Sequence, residues 1–153
     1  MPQYSTVMRD AISNVLETMF FLVPAFEENE NLKDLQQKPF FLDSSVTITG
    51  ESQHFRLVIR ATRAFVTIIT ANFLGVSQEE IVVEEMEDTL KELANMVGGD
   101  CLSRLPPDNW KLGIPKLEQP TSTLDECSTS SVYSIILSLD EEPVAHVQLF
   151  NGC

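Results

Sequence analysis

The apolar residues Val7, Met8, Ala11, Ile12, Val15, Leu16, Met19 and Phe20 recur at helical spacing, and Pro24 closes the run. The pattern predicts an amphipathic helix with a wide apolar face. Residues 27–38 are charged and amide-rich with little periodicity, and they lead into Pro39-Phe40-Phe41-Leu42, which predicts a loop returning to the core. Residues 46–50 and 55–62 are of strand type, joined by a short polar connection of hairpin length. Alternation in the second run sets Phe55, Leu57, Ile59 and Ala61 on one face and Arg56, Val58 and Arg60 on the other. One side of the sheet is therefore expected to be covered and the other partly wet.

Residues 64–74 are rich in β-branched side chains, yet Phe65, Ile68, Ile69, Asn72 and Phe73 also fit a helix that ends at Gly75, and helix is the reading taken. Ser77-Gln78-Glu79-Glu80 has the form of a capping box, with acidic residues crowding the turns that follow. It predicts a long helix from Ser77 that either ends near Gly98 and Gly99 or continues through them to Leu105, before Pro106-Pro107 stops it. A short strand over 112–117, a Ser/Thr-rich acidic loop over 119–130, and two strands over 132–139 and 144–150 complete the chain. The order of elements predicts an α+β fold in which helices cover a largely antiparallel sheet, with residues 1–153 as a single domain.

Charge narrows the function. Ten Lys and Arg face 23 Asp and Glu, for a formal net charge of −13. Five Arg and five Lys scattered along so acidic a chain do not make the clustered basic surface that phosphate neutralisation needs, so nucleic acid is not an expected partner. An anionic membrane surface is disfavoured for the same reason, and no apolar stretch of spanning length occurs. Cys101, Cys127 and Cys153 are an odd number without zinc-type spacing, which suits a reducing cytoplasm better than a disulfide framework. Nothing at the amino terminus resembles a signal peptide.

On the long helix each residue turns the projection by about 100°, so Asp88, Glu92, Asn95 and Gly99, at offsets of four, three and four, form one stripe. Val83, Met86, Leu90, Leu93, Ala94, Val97 and Cys101 gather on the opposite half and are expected to be buried. Glu92 and Asn95 then point outward together, one turn apart, beside a glycine that leaves the backbone open to a partner.

The run Glu92-Leu93-Ala94-Asn95-Met96-Val97-Gly98-Gly99 resembles the E-x-x-N-x-x-x-G signature of the CheC/CheX/FliY family of chemotaxis phosphatases, most closely the CheX type. Asp88 ahead of the motif, the strand-then-helix before it and the amino-terminal helix ending in Leu16-Glu17-Thr18-Met19-Phe20-Phe21 extend the resemblance over most of the chain. It implies dephosphorylation of a CheY-type response regulator, a reaction on an aspartyl phosphate. Glu92 and Asn95 match the catalytic positions, with Asn95 orienting water and Glu92 engaging a lysine of the regulator. Asp88, Met96 and Gly99 are expected to touch the partner. No cofactor of its own is implied, because Mg2+ would come with the regulator. The resemblance also makes a strand-mediated homodimer plausible, with the two carboxy-terminal strands as the pairing edge. A non-enzymatic adaptor that binds a regulator on the same scaffold is the alternative.

Two departures accompany the resemblance. Some relatives repeat the signature on the first helix, but here Glu17 is followed by Phe20 and Pro24 where Asn and Gly would be needed, so one site per chain is expected. Asp100 follows Gly99 and is expected to repel an anionic phosphoryl group. Elsewhere, Glu79, Glu80, Glu84, Glu85, Glu87 and Asp88 lack calcium-loop spacing and read as a solvated helix face. His54 and His146 lack catalytic companions in sequence, and Cys101 reads as core.

Overall fold

A computed structural model describes residues 4–27, 32–119 and 131–152. The elements run α1 (Tyr4–Met19), β1 (Ala25–Glu27), α2 (Leu32–Gln36), β2 (Phe40–Thr49), β3 (His54–Thr62), α3 (Arg63–Leu74), a 3-10 turn (Gln78–Glu80), α4 (Val83–Arg104), β4 (Lys111–Leu112), β5 (Lys116–Glu118), β6 (Ser131–Leu139) and β7 (Glu142–Asn151). Among the described residues the sheet has the order β1-β6-β7-β3-β2-β4, with β5 also on β2, and every pairing is antiparallel. The α+β arrangement is the one that the order of elements predicts.

The alternation in β3 sets the two faces. Phe55, Leu57, Ile59 and Ala61 enter one core with Val46 and Ile48 of β2, Ala145, Val147 and Leu149 of β7, and the apolar faces of α1, α3 and α4. Each such fully buried large side chain contributes roughly 1.5–3 kcal/mol. On the other face, Val58 and Phe150 form a separate buried pair, while Arg56 and Arg60 reach Glu118 and Asp43 at 2.9 Å. The expected partly wet face is thus held by ion pairs, one between the adjacent strands β3 and β2 and one reaching over β2 from β3 to β5.

Local chemistry explains the boundaries. Thr62 Oγ1 accepts the Phe65 N–H at 3.2 Å and starts α3, and Gly75 ends it at φ 70°, its N–H bonded to Ala71 O. The helical reading of 64–74 therefore holds. α1 ends less comfortably: Leu22 N–H closes on Leu16 O at 3.0 Å around Phe21, which sits at φ 57°. A left-handed non-glycine residue costs roughly 1–2 kcal/mol.

Several boundaries differ from the sequence expectation. The long helix does not begin at Ser77, whose side chain makes no capping bond; the 3-10 turn comes first, and Ile81 and Val82 are extended. Consecutive β-branched residues at 81–83 favour that break. α4 starts at Val83, with Glu85 Oε1 accepting the Val82 N–H at 3.0 Å, and Val83 is exposed rather than buried because it lies in the first turn, ahead of the packed stretch. Of the two ends open to the spacing, the helix takes the longer one, through both glycines to Arg104.

The strand expected over 112–117 divides into β4 and β5, since Pro115 has no N–H for a ladder and the Gly113 N–H turns to Thr47 O at 2.8 Å. β1 ends at Glu27, where the expected loop over 27–38 begins, and α2 lies within that loop, with Leu35 fully buried. The acidic loop over 120–130, with Cys127, and the terminal Cys153 lie outside the described residues.

Candidate functional site

The orientation of α4 is fixed from both sides. Met86, Leu90, Leu93, Ala94, Val97 and Cys101 are buried, with Cys101 Sγ 3.7 Å from Met8 Sδ of α1. Burial pushes the Cys101 thiol up to about 12, so it stays protonated and serves as packing. Toward the sheet Gly98 is buried, and a Cβ there would stand 2.8 Å from Val46 Cγ1 and 2.9 Å from Leu112 Cδ1. The first of the paired glycines thus lets the helix sit close to β2 and β4, while Gly99, with Leu112 Cδ2 at 3.9 Å from its notional Cβ, has room.

The predicted stripe lies on the remaining side. Asp88 is exposed, and Glu92, Asn95, Met96 and Gly99 are half-buried. Met96 rests against the rim of the core. Asp88 has Lys91 Nζ at 3.7 Å, an exposed contact of little energetic weight. Among the described residues, the side chains of Glu92 and Asn95 have no hydrogen-bond or ion-pair partner. An amide with a free donor and a free acceptor therefore stands one helical turn from a free carboxylate.

A cavity of about 240 Å³ opens beside the stripe, lined by Phe73 and Leu74 of α3 and by Glu85, Asp88, Thr89 and Glu92 of α4. Sequence reasoning did not join α3 to the site. Spacing along α4 gives the angle of Glu92 but not the neighbouring helix, and no signal in the sequence marks Leu74 as exposed at the end of α3.

Asp100 does not stand as an unpaired charge next to Gly99. Its carboxylate accepts from Asn14 Nδ2 of α1 at 3.2 Å and from Arg104 at 3.4 Å, and Arg104 also lies 3.8 Å from Asp10. The charge is compensated locally and turned toward α1. On α1 itself Glu17 is exposed, but Phe20 is buried, stacked on Phe73 at 5.1 Å between ring centroids, with Asn72 Nδ2 donating to its carbonyl at 2.8 Å. The stretch at which relatives repeat the signature is packing here.

The other candidates are structural. His146 is buried, its Nε2 2.6 Å from Ser134 Oγ, and desolvation together with the Arg60 charge pulls it down to about 4. His54 Nδ1 lies 3.1 Å from Thr49 Oγ1 across the β2–β3 hairpin. Asp43 is held by both Arg60 Nε and the guanidinium NH2, at 2.9 and 3.0 Å, though burial still raises its carboxyl above the ordinary value. Among the described residues no group of three or more His, Cys, Asp and Glu side chains is placed to hold a metal ion, and no helix is long and apolar enough to cross a membrane. The edge expected from the carboxy-terminal strands is only half available: β7 is paired on both sides, and β6 meets β1 only at 136–138.

No curated protein sequence matches the chain. Its fold is similar to that of the chemotaxis protein CheX from Vibrio vulnificus, with a TM-score of 0.77 at 18% identity, covering 98% of this chain and 97% of the other. A CheX–CheY–BeF3–Mg2+ complex from Borrelia burgdorferi gives 0.69 at 15% identity, with 99% of each chain covered. FliY from Thermotoga maritima gives 0.58 at 16%, covering 94% of this chain and 82% of that one. The family model described as chemotaxis phosphatase CheX matches residues 44–138, a span that takes in part of β2, all of β3, α3 and α4, and nearly all of β6. With that span matched and the fold shared, the chain belongs to the CheX family of chemotaxis phosphatases.

Proposed function

We propose that the protein dephosphorylates a CheY-type response regulator, with Asn95 positioning the attacking water and Glu92 fixing the docked regulator. The observation that carries this reading is the unpartnered Glu92–Asn95 pair on the outward stripe of α4 in a CheX-family chain. The Borrelia burgdorferi relative complexed with CheY supports the class of partner.

The chemistry asks little of this chain. An aspartyl phosphate is already activated, and Mg2+ carried by the regulator stabilises the charge on the phosphoryl oxygens. The missing component is an aligned nucleophile. The Asn95 carbonyl oxygen accepts from the water while its amide donates to a neighbouring oxygen, so attack is directed in line without a change of protonation on the side chain. A hundredfold gain from such alignment equals about 2.7 kcal/mol of barrier. Glu92, one turn earlier, pairs with a lysine of the regulator and sets the register, with Asp88, Met96 and Gly99 touching the partner around it.

Residues 1–153 are taken as one domain, supported by a core running from Val7 to Leu149. The reaction belongs in the cytoplasm, where such a partner resides. A homodimer formed by strand addition at the open half of β6, residues 131–135, is the assembly that the sheet allows, and sedimentation of a variant with proline at Tyr133 tests it.

The test of function is the loss of label from a phosphorylated CheY-type regulator in Mg2+, alone and with this protein. Acceleration that disappears in Asn95→Ala supports the reading. Binding without acceleration identifies the adaptor instead.

A further inference from the structure

We infer that Phe21 and Leu74 are the apolar anchor by which the regulator docks beside Glu92, an inference that rests on the proposed function and names how that same site holds its partner. The two side chains close α1 and α3 respectively. Phe21 is 72% exposed and Leu74 42%, the first following Phe20, whose ring stacks on Phe73, the second lining the groove that ends at Glu92. Met19, the last residue of α1, and Val76, just after α3, are also exposed, at 41% and 36%. Two exposed apolar side chains at helix ends whose preceding rings, Phe20 and Phe73, stack, beside a groove rimmed by carboxylates, have the anatomy of an interface centre with a charged rim.

The conformation of Phe21 points the same way. It occupies the left-handed position at the end of α1, the place that glycine fills at the end of α3, and its ring is in solvent rather than in the core. The fold gains little burial from phenylalanine there, and backbone strain at an exposed bulky residue is a mark of a site used by a partner.

Charge selects the partner. Glu85, Asp88 and Glu92 line the groove, Glu79 and Glu80 stand exposed on the adjoining 3-10 turn, and Lys91, the one basic residue between Arg63 and Arg104, is beside Asp88. A second copy of a chain with net charge −13 meets this rim with like charge. The complementary occupant is a protein surface that presents an apolar side chain flanked by lysine or arginine, next to the phosphorylated pocket of the regulator.

The test exploits the strain. Phe21→Gly removes the ring while relieving the left-handed residue, so weaker docking cannot be blamed on a damaged fold. Titration with a CheY-type regulator activated by beryllofluoride and Mg2+ is expected to show Kd raised about tenfold in Phe21→Gly and in Leu74→Ala. The melting temperature of Phe21→Gly should be equal or higher, and phosphate release at saturating regulator should stay within twofold of wild type. Wild-type affinity should also fall as salt rises. Kd within twofold of wild type for both variants, while Asn95→Ala still abolishes turnover, overturns the anchor and leaves the proposed function standing. Phe21-dependent binding without accelerated decay does the reverse. A change in oligomeric state in Phe21→Gly with unchanged Kd assigns the patch to a second copy and overturns the inference, as does absence of any binding by the wild type.

Discussion

Gly98 of α4 lies so close to Val46 of β2 that an added Cβ would stand 2.8 Å from Val46 Cγ1. This contact sets the depth of α4 against the sheet and thereby the height at which Glu92 and Asn95 emerge. The adjacent Gly99 has no such constraint. Alanine is favoured over glycine by about 1 kcal/mol in a helix interior, whereas forcing a methyl into a filled core costs about 1–3 kcal/mol. Gly98→Ala is therefore expected to lower stability in urea unfolding and Gly99→Ala to raise it. If Gly98→Ala is the more stable of the two, the close seating of α4 is wrong.

Asp100 was expected from sequence to repel the phosphoryl group, but Asn14 and Arg104 hold its carboxylate. Asp100→Asn should leave regulator turnover within twofold of wild type and shift the unfolding free energy downward by about 0.5 kcal/mol, the scale of a partly exposed ion pair. A severalfold gain in turnover would restore the repulsion.

The β6–β7 turn carries Asp140 at φ 51° and Glu141 at φ 68°. Two-residue hairpin turns with both residues left-handed favour glycine at the second position. Glu141→Gly is expected to raise stability by about 1 kcal/mol, read as a higher melting temperature with unchanged circular dichroism.

Stability should also fall in mild acid. Burial and the Arg60 charge hold His146 at about 4, below its ordinary 6.5. Between these values the unfolded chain binds a proton that the folded chain refuses, so the neutral-imidazole contribution is full above pH 6.5 and is lost as pH falls toward 4. Asp43, raised by burial, acts oppositely: the folded carboxyl keeps its proton above its ordinary 3.8, which favours the fold at lower pH and offsets part of the loss. His146→Gln, which can still bond Ser134, should flatten the decline between pH 6.5 and 4 by an amount on the order of 2 kcal/mol. An unchanged slope would rule out His146 as its source.

The sequence made the central geometry legible because a helix projects its residues at fixed angles. The stripe of Asp88, Glu92, Asn95 and Gly99, and the burial of Leu90, Leu93, Ala94 and Val97 opposite, follow from periodicity alone. Gly75 and the alternation of Phe55, Leu57, Ile59 and Ala61 were equally readable. What escaped depends on neighbours distant in sequence. β1 and β5 are three residues each and exist through their pairing with β6 and β2. Helical spacing set Phe20 on the apolar face, but the left-handed turn that leaves Phe21 exposed after α1 was not readable from it. Which glycine packs and which stays open, and where the Asp100 charge goes, are likewise settled by β2, β4 and α1 rather than by α4.

The central claim is that Asn95 supplies alignment and not affinity. Single-turnover decay of a phosphorylated CheY-type regulator in Mg2+, measured across concentrations of wild type and of Asn95→Ala, separates the two. The account predicts that Asn95→Ala binds the regulator with Kd within about twofold of wild type while the maximal decay rate drops about a hundredfold, toward that of the regulator alone. Undiminished maximal decay with Asn95→Ala would contradict it.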